Sequence, residues 1–447
     1  MSPTLPTPRA ERIGMLDTNR GIAVLGILLM NIVGFGLPEA YEIPINWGGH
    51  EGANLWAWRI NAWFFEGTMR GLFTLLFGAG ALLFLQRQST HDATGTRELS
   101  GTALYFRRTG LLILFGLINA YVFLWEGDIL FYYGVTGLFL YFFRNLRTPT
   151  LILIGLAVLT VPTIMNLMER VEYTDVKSRA EAATIALESG AELTDEQLAA
   201  INELHETQAD RSPAQQEMEN AIARVKESYA SAFHYLRNRT FYWETTFFIR
   251  YGFAECLGMM LIGMALLKLG ILSGSAPRHV YAGMMAAGYA IGLGVNLWET
   301  RTLENSAFSI DAVTVTYLTY DLGRVPLTLA HLGLIGWLWQ LPILHSAKRV
   351  LARVGQMALT NYLTQSIICG LLFTGAGLGL FGQFQRYELY YFVVAIWVVQ
   401  LLWSPWWLNR FQFGPAEWLW RSLTYGRRQP MRIAPHAAVT VDHRPST

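Results

Sequence analysis

Charged side chains occur inside several apolar stretches of this sequence, where burying them in a membrane or a core is costly. Glu66 and Arg70 are four residues apart, and Asp321 and Arg324 are three apart. In a helix, either spacing places both charges on one face. Each pair could fix the packing of helices as an ion pair or could bind the polar part of a ligand.

Three more charged residues interrupt apolar sequence. Arg250 and Glu255 are five residues apart, which is more than one helical turn, so we expect each to find its partner elsewhere. Asp128 begins an apolar stretch, where it can cap a helix and complement its dipole. A shared network, or a water-filled cavity open to one side, would be the cheapest arrangement for all these charges.

Uncharged polar residues supply further candidates. His331 lies well inside an apolar stretch, seven residues after Arg324. It could be a general base, or a neutral histidine that hydrogen-bonds a neighbour, since no carboxylate accompanies it at helical spacing. Asn361 and Gln365, four residues apart, could either join helices by hydrogen bonds or line a cavity.

Asp17 and Arg20 precede the first long apolar run. They can pair with each other, or they can coordinate an anionic head group. Cys256 and Cys369 both lie in apolar surroundings, which favours packing over a disulfide or a metal site. Because no phosphate loop, zinc-spaced ligand set or nucleophile elbow is present, we expect neither a metal nor a cofactor.

The elements that must position these residues are membrane helices. Of the 447 residues, 52% are hydrophobic and only 15% are charged, against about 25% charged in soluble domains. The net charge of +1 argues against nucleic acid as a partner. Stretches long enough to span a bilayer are 21–37, 66–86, 107–126, 128–145, 150–168, 245–268, 280–298, 321–341, 354–374 and 388–408. The predicted fold is an all-α transmembrane bundle of about ten spans.

Lysine and arginine are distributed unevenly between the loops. One alternate set of short loops carries eleven of them and the other carries three, which predicts that both termini are cytoplasmic. This topology places most of the intramembrane charges in the outer half of the bundle. The predicted segments are a cytoplasmic tail at 1–20, five spans in 21–169, a non-cytoplasmic helical hairpin at 170–244, five spans in 245–408, and an interfacial helix and tail at 409–447.

The predicted hairpin is rich in acidic residues. Thr194 and Gln197 form a capping-box pattern that begins one helix, and Ser212 with Pro213 is the expected start of a second. Its role is open between a solvated spacer and a lid or partner-binding element.

Five separated stretches resemble the YeiB-like bacterial membrane proteins, a family with a domain of unknown function. They are LDTNRGIAVLGILLMN at 16–31, FFEGTMRGLFTLLFGAG at 64–80, GDILFYYG at 127–134, VGQMALTNYLTQSIICG at 354–370 and FGPAEWLWRSLTYG at 413–426. The resemblance implies a location in the bacterial cytoplasmic (inner) membrane. One difference is Asn119, where many relatives have histidine.

The opening helix is also similar to that of transmembrane acyltransferases, which have Asp, then Arg-Gly, then a histidine at the far end. Asp17 and Arg20-Gly21 fit that pattern, but Asn31 occupies the histidine position. An amide cannot accept and return a proton near neutral pH, so the resemblance implies the architecture and not the chemistry. Asn31 could still hydrogen-bond a ligand.

These observations favour a membrane protein that binds, channels or transports a lipid or another amphipathic small molecule through a polar cavity among its helices. Membrane lipids are the expected partners, and a second copy of the chain is a further candidate. An acyltransferase with His331 as its base and a scaffold that acts through the hairpin are the alternatives.

Overall fold

The computed structural model describes residues 13–40, 43–92 and 101–433, and this part of the chain is helical almost throughout. Its α-helices are α1 (Gly14–Gly36), α2 (Gly52–Phe64), α3 (Thr68–Asp92), α4 (Gly101–Tyr121), α5 (Leu130–Phe143), α6 (Thr148–Glu188), α7 (Asp195–Arg211), α8 (Gln215–Glu227), α9 (Tyr229–Tyr242), α10 (Phe253–Lys268), α11 (Arg278–Asn305), α12 (Ile310–Thr316), α13 (Tyr320–Trp339), α14 (His345–Gln356), α15 (Ala358–Phe373), α16 (Arg386–Leu408) and α17 (Pro415–Tyr425). A π-helical segment, Trp243–Gly252, joins α9 to α10. Parts of the predicted cytoplasmic segments, namely 1–12, 93–100 with Arg97, and 434–447, lie outside the described residues.

The all-α membrane bundle is confirmed. Seven helical stretches of the described chain are long and apolar enough to cross a membrane, namely Gly14–Gly36, Gly52–Arg87, Gly101–Tyr121, Thr148–Glu188, Tyr229–Lys268, Arg278–Asn305 and Arg386–Leu408. Each of the ten predicted stretches overlaps a helix, but three do not meet the criteria of length and composition. The stretch 128–145, for example, forms only the 14-residue α5.

The predicted span 354–374 is divided into two helices. α14 ends at Gln356 and α15 begins at Ala358. α14 carries basic residues and packs against α1, where a Cβ on Gly355 would come within 1.8 Å of the Asp17 carbonyl oxygen. No proline and no charged residue interrupts 354–374, so this stretch did not predict the break.

Close backbone contacts hold α3 and α10 together. A Cβ on Gly78 would lie 2.1 Å from the Met260 carbonyl oxygen, and a Cβ on Gly263 would lie 2.0 Å from that of Leu75. These two glycines let α3 and α10 run side by side in the same direction. The beginnings of α3 and α10 are therefore neighbours, which brings Arg70 to Glu255.

The predicted hairpin region is helical, but its organisation differs from the prediction. α6 continues as one helix to Glu188, and Thr194 and Gln197 form the predicted capping box of α7. The expected start at Ser212 is wrong, because that hydroxyl donates to Asn46 (2.9 Å) and α8 begins at Gln215. Ser228 instead caps α9, where its Oγ accepts from the Ser231 amide (3.1 Å).

Candidate functional site

The beginnings of α3, α10 and α13 meet in a set of ion pairs, which we call the arginine–carboxylate network: Arg70, Glu255, Asp321 and Arg324. Arg70 Nε and Nη2 donate to Glu255 Oε1 and Oε2 at 3.1 and 3.3 Å. Arg324 Nη1 lies 3.4 Å from Glu255 Oε2, and Arg324 also pairs with Asp321. Glu255 thus connects three helices.

The network is deeply buried at one end and reaches the surface at the other. The Arg324 side chain is 3% exposed, Glu255 and Asp321 are each 13% exposed, and Arg70 is 29% exposed. Nη1 of Arg324 is buried without a hydrogen bond of regular geometry. A polar group approaching at Arg70 would therefore meet Glu255 first and Arg324 behind it.

A glycine and a tyrosine position Arg324. Gly67 has φ +66°, and a Cβ there would lie 2.1 Å from Cδ of Arg324. The Tyr320 ring lies 4.2 Å from the guanidinium carbon, and its hydroxyl donates to Glu66 (3.3 Å). Tyr320 therefore connects Arg324 to Glu66 at the edge of the network.

The structure confirms the predicted pairing of Asp321 with Arg324, and it confirms that Arg250 and Glu255 find partners outside their own helix. Arg250 pairs with Glu169 of α6 at 3.1 Å, and its side chain is 45% exposed. This contact separates Arg250 from the arginine–carboxylate network, although the sequence analysis predicted that all these charges share one network.

Asp128 belongs to a second buried cluster. Its Oδ2 accepts from the Phe131 amide at 2.8 Å, so the expected capping of α5 is confirmed. Its Oδ1 accepts from Asn119 (2.7 Å) and from the Tyr362 hydroxyl (3.4 Å). Asn119 and Tyr362 therefore both hold the Asp128 carboxylate through their side chains.

His331 lies half-buried between α13 and α11. Its Nδ1 donates to the Leu327 carbonyl of the preceding turn (2.8 Å), and its ring lies 5.6 Å from that of Tyr289. Within the described residues no carboxylate forms an ion pair with His331. This geometry matches the alternative of a neutral histidine bonded to its own helix.

Asn361 and Gln365 are buried and bond to other helices. Asn361 donates to Ser404 of α16 at 3.1 Å. Gln365 donates to the Val24 carbonyl of α1 at 3.1 Å and to Gln400 of α16 at 3.0 Å. Both amides therefore join helices, which was one of the two roles left open for them.

The remaining candidates lie along α1. Asp17 pairs with Arg20 at 3.3 Å, as the spacing predicted, and its other oxygen accepts from Gln356 at 3.1 Å. Asn31 is half-buried further along α1. None of these three residues, Asp17, Arg20 and Asn31, belongs to the arginine–carboxylate network.

One polar centre was not predicted, although the two stretches that form it, 354–370 and 413–426, carry the family resemblance. Glu417 Oε1 accepts from the amides of Leu359 and Thr360 at 2.7 and 3.1 Å, and Oε2 accepts from the Thr360 hydroxyl at 2.5 Å. Burial raises the pKa of the Glu417 carboxyl, and the hydrogen bonds from Thr360 act in the opposite direction. The GPAEWLWR stretch therefore caps the helix formed by the ALTNYL stretch.

Comparison with known proteins shows the family of the chain. The family model described as "Protein of unknown function (DUF418)" matches residues 266–427. The YeiB protein of Escherichia coli K12 is 32% identical, with 93% of this chain and 96% of YeiB aligned. The chain belongs to this YeiB-like DUF418 family.

A second member of the family is more distant. The YxaH protein of Bacillus subtilis 168 is 27% identical, with 96% of this chain and 98% of YxaH aligned. No solved structure matches the chain. The stretch matched by the DUF418 model contains both Glu417 and the α15 start that it caps.

Proposed function

We propose that this membrane protein binds a lipid or another amphipathic small molecule and engages its polar head at the arginine–carboxylate network. Binding is the step that channelling or transport of such a molecule would share. The main support for this proposal is the burial of Arg324. Its side chain is only 3% exposed and pairs with Glu255 and Asp321 inside an apolar helix bundle.

The energetic cost of burying these charges supports a role for the network beyond helix packing. Burying ion pairs requires removing each charge from water, and apolar side chains of similar volume often stabilise a fold equally well. Charges within membrane helices are correspondingly uncommon and usually face a cavity or pathway.

The shape of the network supports access from one side. Arg70 is 29% exposed, whereas Glu255 behind it is 13% exposed. The network presents carboxylates and guanidinium groups together, so a head group that carries an amine as well as an acidic group would find partners of both signs. The acyl chains of such a molecule would remain among the apolar helices.

The experiment compares lipids that co-purify with the full chain and with two variants. We expect Arg70→Gln to lose most of a bound amphiphile detected by native mass spectrometry, because the outermost group of the network is removed. Arg59→Gln is the matched control, since Arg59 forms a similar bidentate pair with Glu304 (2.7 Å) away from the network. Equal retention by Arg70→Gln and wild type would contradict the proposal.

A further inference from the structure

One buried carboxylate of the bundle, that of Glu244, lies outside the arginine–carboxylate network. Glu244 is in the first turn of the π-helical segment Trp243–Gly252 and is only 5% exposed. This segment is part of the helical stretch Tyr229–Lys268, which is long and apolar enough to cross a membrane. Glu244 therefore places an ionisable group inside the bundle, where an unbalanced charge is costly.

The Glu244 carboxylate has no cation as a partner. Within the described residues it forms no ion pair, and its Oε1 is buried without a hydrogen bond. The nearest arginines along the chain are Arg239 and Arg250, and both are engaged elsewhere. Arg239 pairs with two other carboxylates, and Arg250 pairs with Glu169 at 3.1 Å.

Contacts with α5 fix the backbone on both sides of Glu244. Tyr132, in the first turn of α5, donates from its hydroxyl to the Trp243 carbonyl oxygen at 2.5 Å. Its ring lies 4.7 Å from that of Phe248, and a Cβ on Gly252 would lie 2.6 Å from Cε2 of Tyr132. π-Helical segments are uncommon and are frequently found at functional sites. The burial of Glu244 is therefore set by well-packed neighbours.

The charged groups around the segment are balanced by one another. Ionisable side chains lie on each neighbouring element: Tyr121 on α4, Asp128 before α5, Tyr132 on α5, Glu169 on α6, Arg239 on α9 and Glu255 on α10. Of these, the uncharged Tyr121 hydroxyl faces Glu244 directly. Glu169, Arg239 and Glu255 are each paired with other side chains. No neighbouring element supplies a free cation to Glu244.

Asp128 provides the informative comparison. It is 3% exposed and, within the described residues, also forms no ion pair. Its carboxylate accepts hydrogen bonds from Asn119, from the Phe131 amide and from Tyr362, and such donors stabilise the charged form. Glu244 has no comparable set of donors. A bound proton is therefore the simplest way to neutralise it inside the bundle.

We propose that Glu244 is a proton-binding site that exchanges its proton with water at the end of the bundle where Arg239 pairs with Glu126. Arg239 is 35% exposed, and it lies five residues before Glu244, which corresponds to about 8 Å along a helix. Ionisable residues inside membrane helices commonly serve as proton relays. Such a site allows the protein to link proton uptake to a change in the packing of the π-helical segment.

Infrared spectroscopy of the full chain tests this proposal, because a protonated carboxyl has a C=O stretch separate from the bands of carboxylates. The protein in nanodiscs is titrated from about pH 4 to about pH 10. We expect a carboxyl band that persists above about pH 5, where exposed carboxyls are ionised, and that disappears as the pH rises further. Glu244→Gln should lack this band, whereas Glu244→Asp should retain it at a shifted frequency.

Two control variants assign the band. Glu169→Gln is the matched control, because Glu169 is 31% exposed and pairs with Arg250, so this variant should keep the band. Asp128→Asn should also keep it. Glutamine has the shape of a protonated glutamate, so Glu244→Gln should unfold at a temperature close to that of wild type at acidic pH. A lost band in this variant is then distinguished from a lost fold.

Three results would overturn the proposal. The first is the absence of any carboxyl band above about pH 5 in the wild type. The second is a band that Asp128→Asn removes and Glu244→Gln retains. The third is a Glu244 band that stays unchanged throughout the titration, since that proton does not exchange. Arg70→Gln should keep the Glu244 band, so the proton site and the proposed amphiphile site can fail separately.

Discussion

Arg324 is a deeply buried cation whose charge is balanced by two carboxylates. It is 3% exposed, and its charge is balanced by Glu255 and Asp321, which are themselves mostly buried. Removing the cation would leave two carboxylates close together in a medium of low polarity. Glu255 would keep Arg70 as a partner, but Asp321 would lose the cation with which it pairs, so this end of the bundle should lose stability.

We expect Arg324→Gln to destabilise the protein by about 3–5 kcal/mol, the usual cost of leaving a buried charge without its partner. Arg250→Gln should cost less than about 1 kcal/mol, because its pair with Glu169 is exposed. Thermal unfolding of both variants in detergent measures the difference. Similar losses in the two variants would show that the network does not stabilise the fold.

Gly67 makes room for Arg324 and tests its placement separately from its charge. Gly67→Ala should destabilise the protein by about 1–3 kcal/mol more than Gly52→Ala, because overpacking adds to the strain of positive φ. Both glycines have positive φ, +66° and +53°, but a Cβ on Gly52 would meet nothing within 4 Å. Equal unfolding temperatures for the two variants would contradict the described position of Arg324.

The pairs within one helix were predictable at the residue scale, and the pairs between helices were not. Spacing alone indicated Asp321 with Arg324 and Asp17 with Arg20, because the pitch of a helix fixes which side chains share a face. The partners of Glu255 depend on Gly78 and Gly263, which decide how closely α3 and α10 approach. A single sequence does not indicate that α3 and α10 are neighbours.

At the scale of elements, the break between α14 and α15 exposes the first amides of α15. Glu417 of α17 reaches across and satisfies those of Leu359 and Thr360. A carboxylate in this place also complements the helix dipole. α17 therefore stabilises the start of a buried helix, in addition to the interfacial anchoring expected from its tryptophans and arginines.

We expect Glu417→Ala to cost about 2 kcal/mol, at the upper end for a lost helix cap, because two amides and one hydroxyl lose their acceptor. Glu388→Ala should cost about 1 kcal/mol or less, since Glu388 accepts from a single exposed amide, that of Gln385 (2.8 Å). Equilibrium unfolding in detergent compares them. A larger loss for Glu388→Ala would refute the capping role of Glu417.

Helix boundaries were predictable only where local chemistry sets them. The capping box at Thr194 follows from side chains three residues apart, so it was found. Ser212 has the right residue type for a cap but donates to Asn46, a residue distant in sequence. Tertiary contacts of this kind override local preference, and the same is true of Glu417 and α15.

At the scale of the whole molecule, two lysines of the short loops bond to backbone carbonyls near helix ends. Lys268 donates to the Leu146 carbonyl (2.6 Å), just after α5, and Lys348 donates to that of Trp339 (3.1 Å), the last residue of α13. Both cations lie near the carboxyl ends of helices, where a positive charge opposes the negative end of the helix dipole. The charge bias that predicts topology thus coincides with helix capping.

The topology stays a prediction that fusions can test. An alkaline phosphatase fusion at residue 200 should be active and a fluorescent-protein fusion at residue 440 should fluoresce, because the charge bias places the termini in the cytoplasm. Protease added from the non-cytoplasmic side should cut between Arg211 and Gln215, where α7 ends and α8 begins. Fluorescence of a fusion at residue 200, or protease cleavage only from the cytoplasmic side, would contradict the predicted orientation.

The most direct measurement of the central claim is an experimental structure of the full chain in nanodiscs prepared from its native membrane. The arginine–carboxylate network as a binding site predicts lipid-shaped density with its polar end within hydrogen-bonding distance of Arg70 or Glu255. Density of that kind should be absent from the Arg70→Gln variant in the same preparation. A wild-type map in which the network is enclosed by side chains, with bound lipids only elsewhere on the bundle, would contradict the claim.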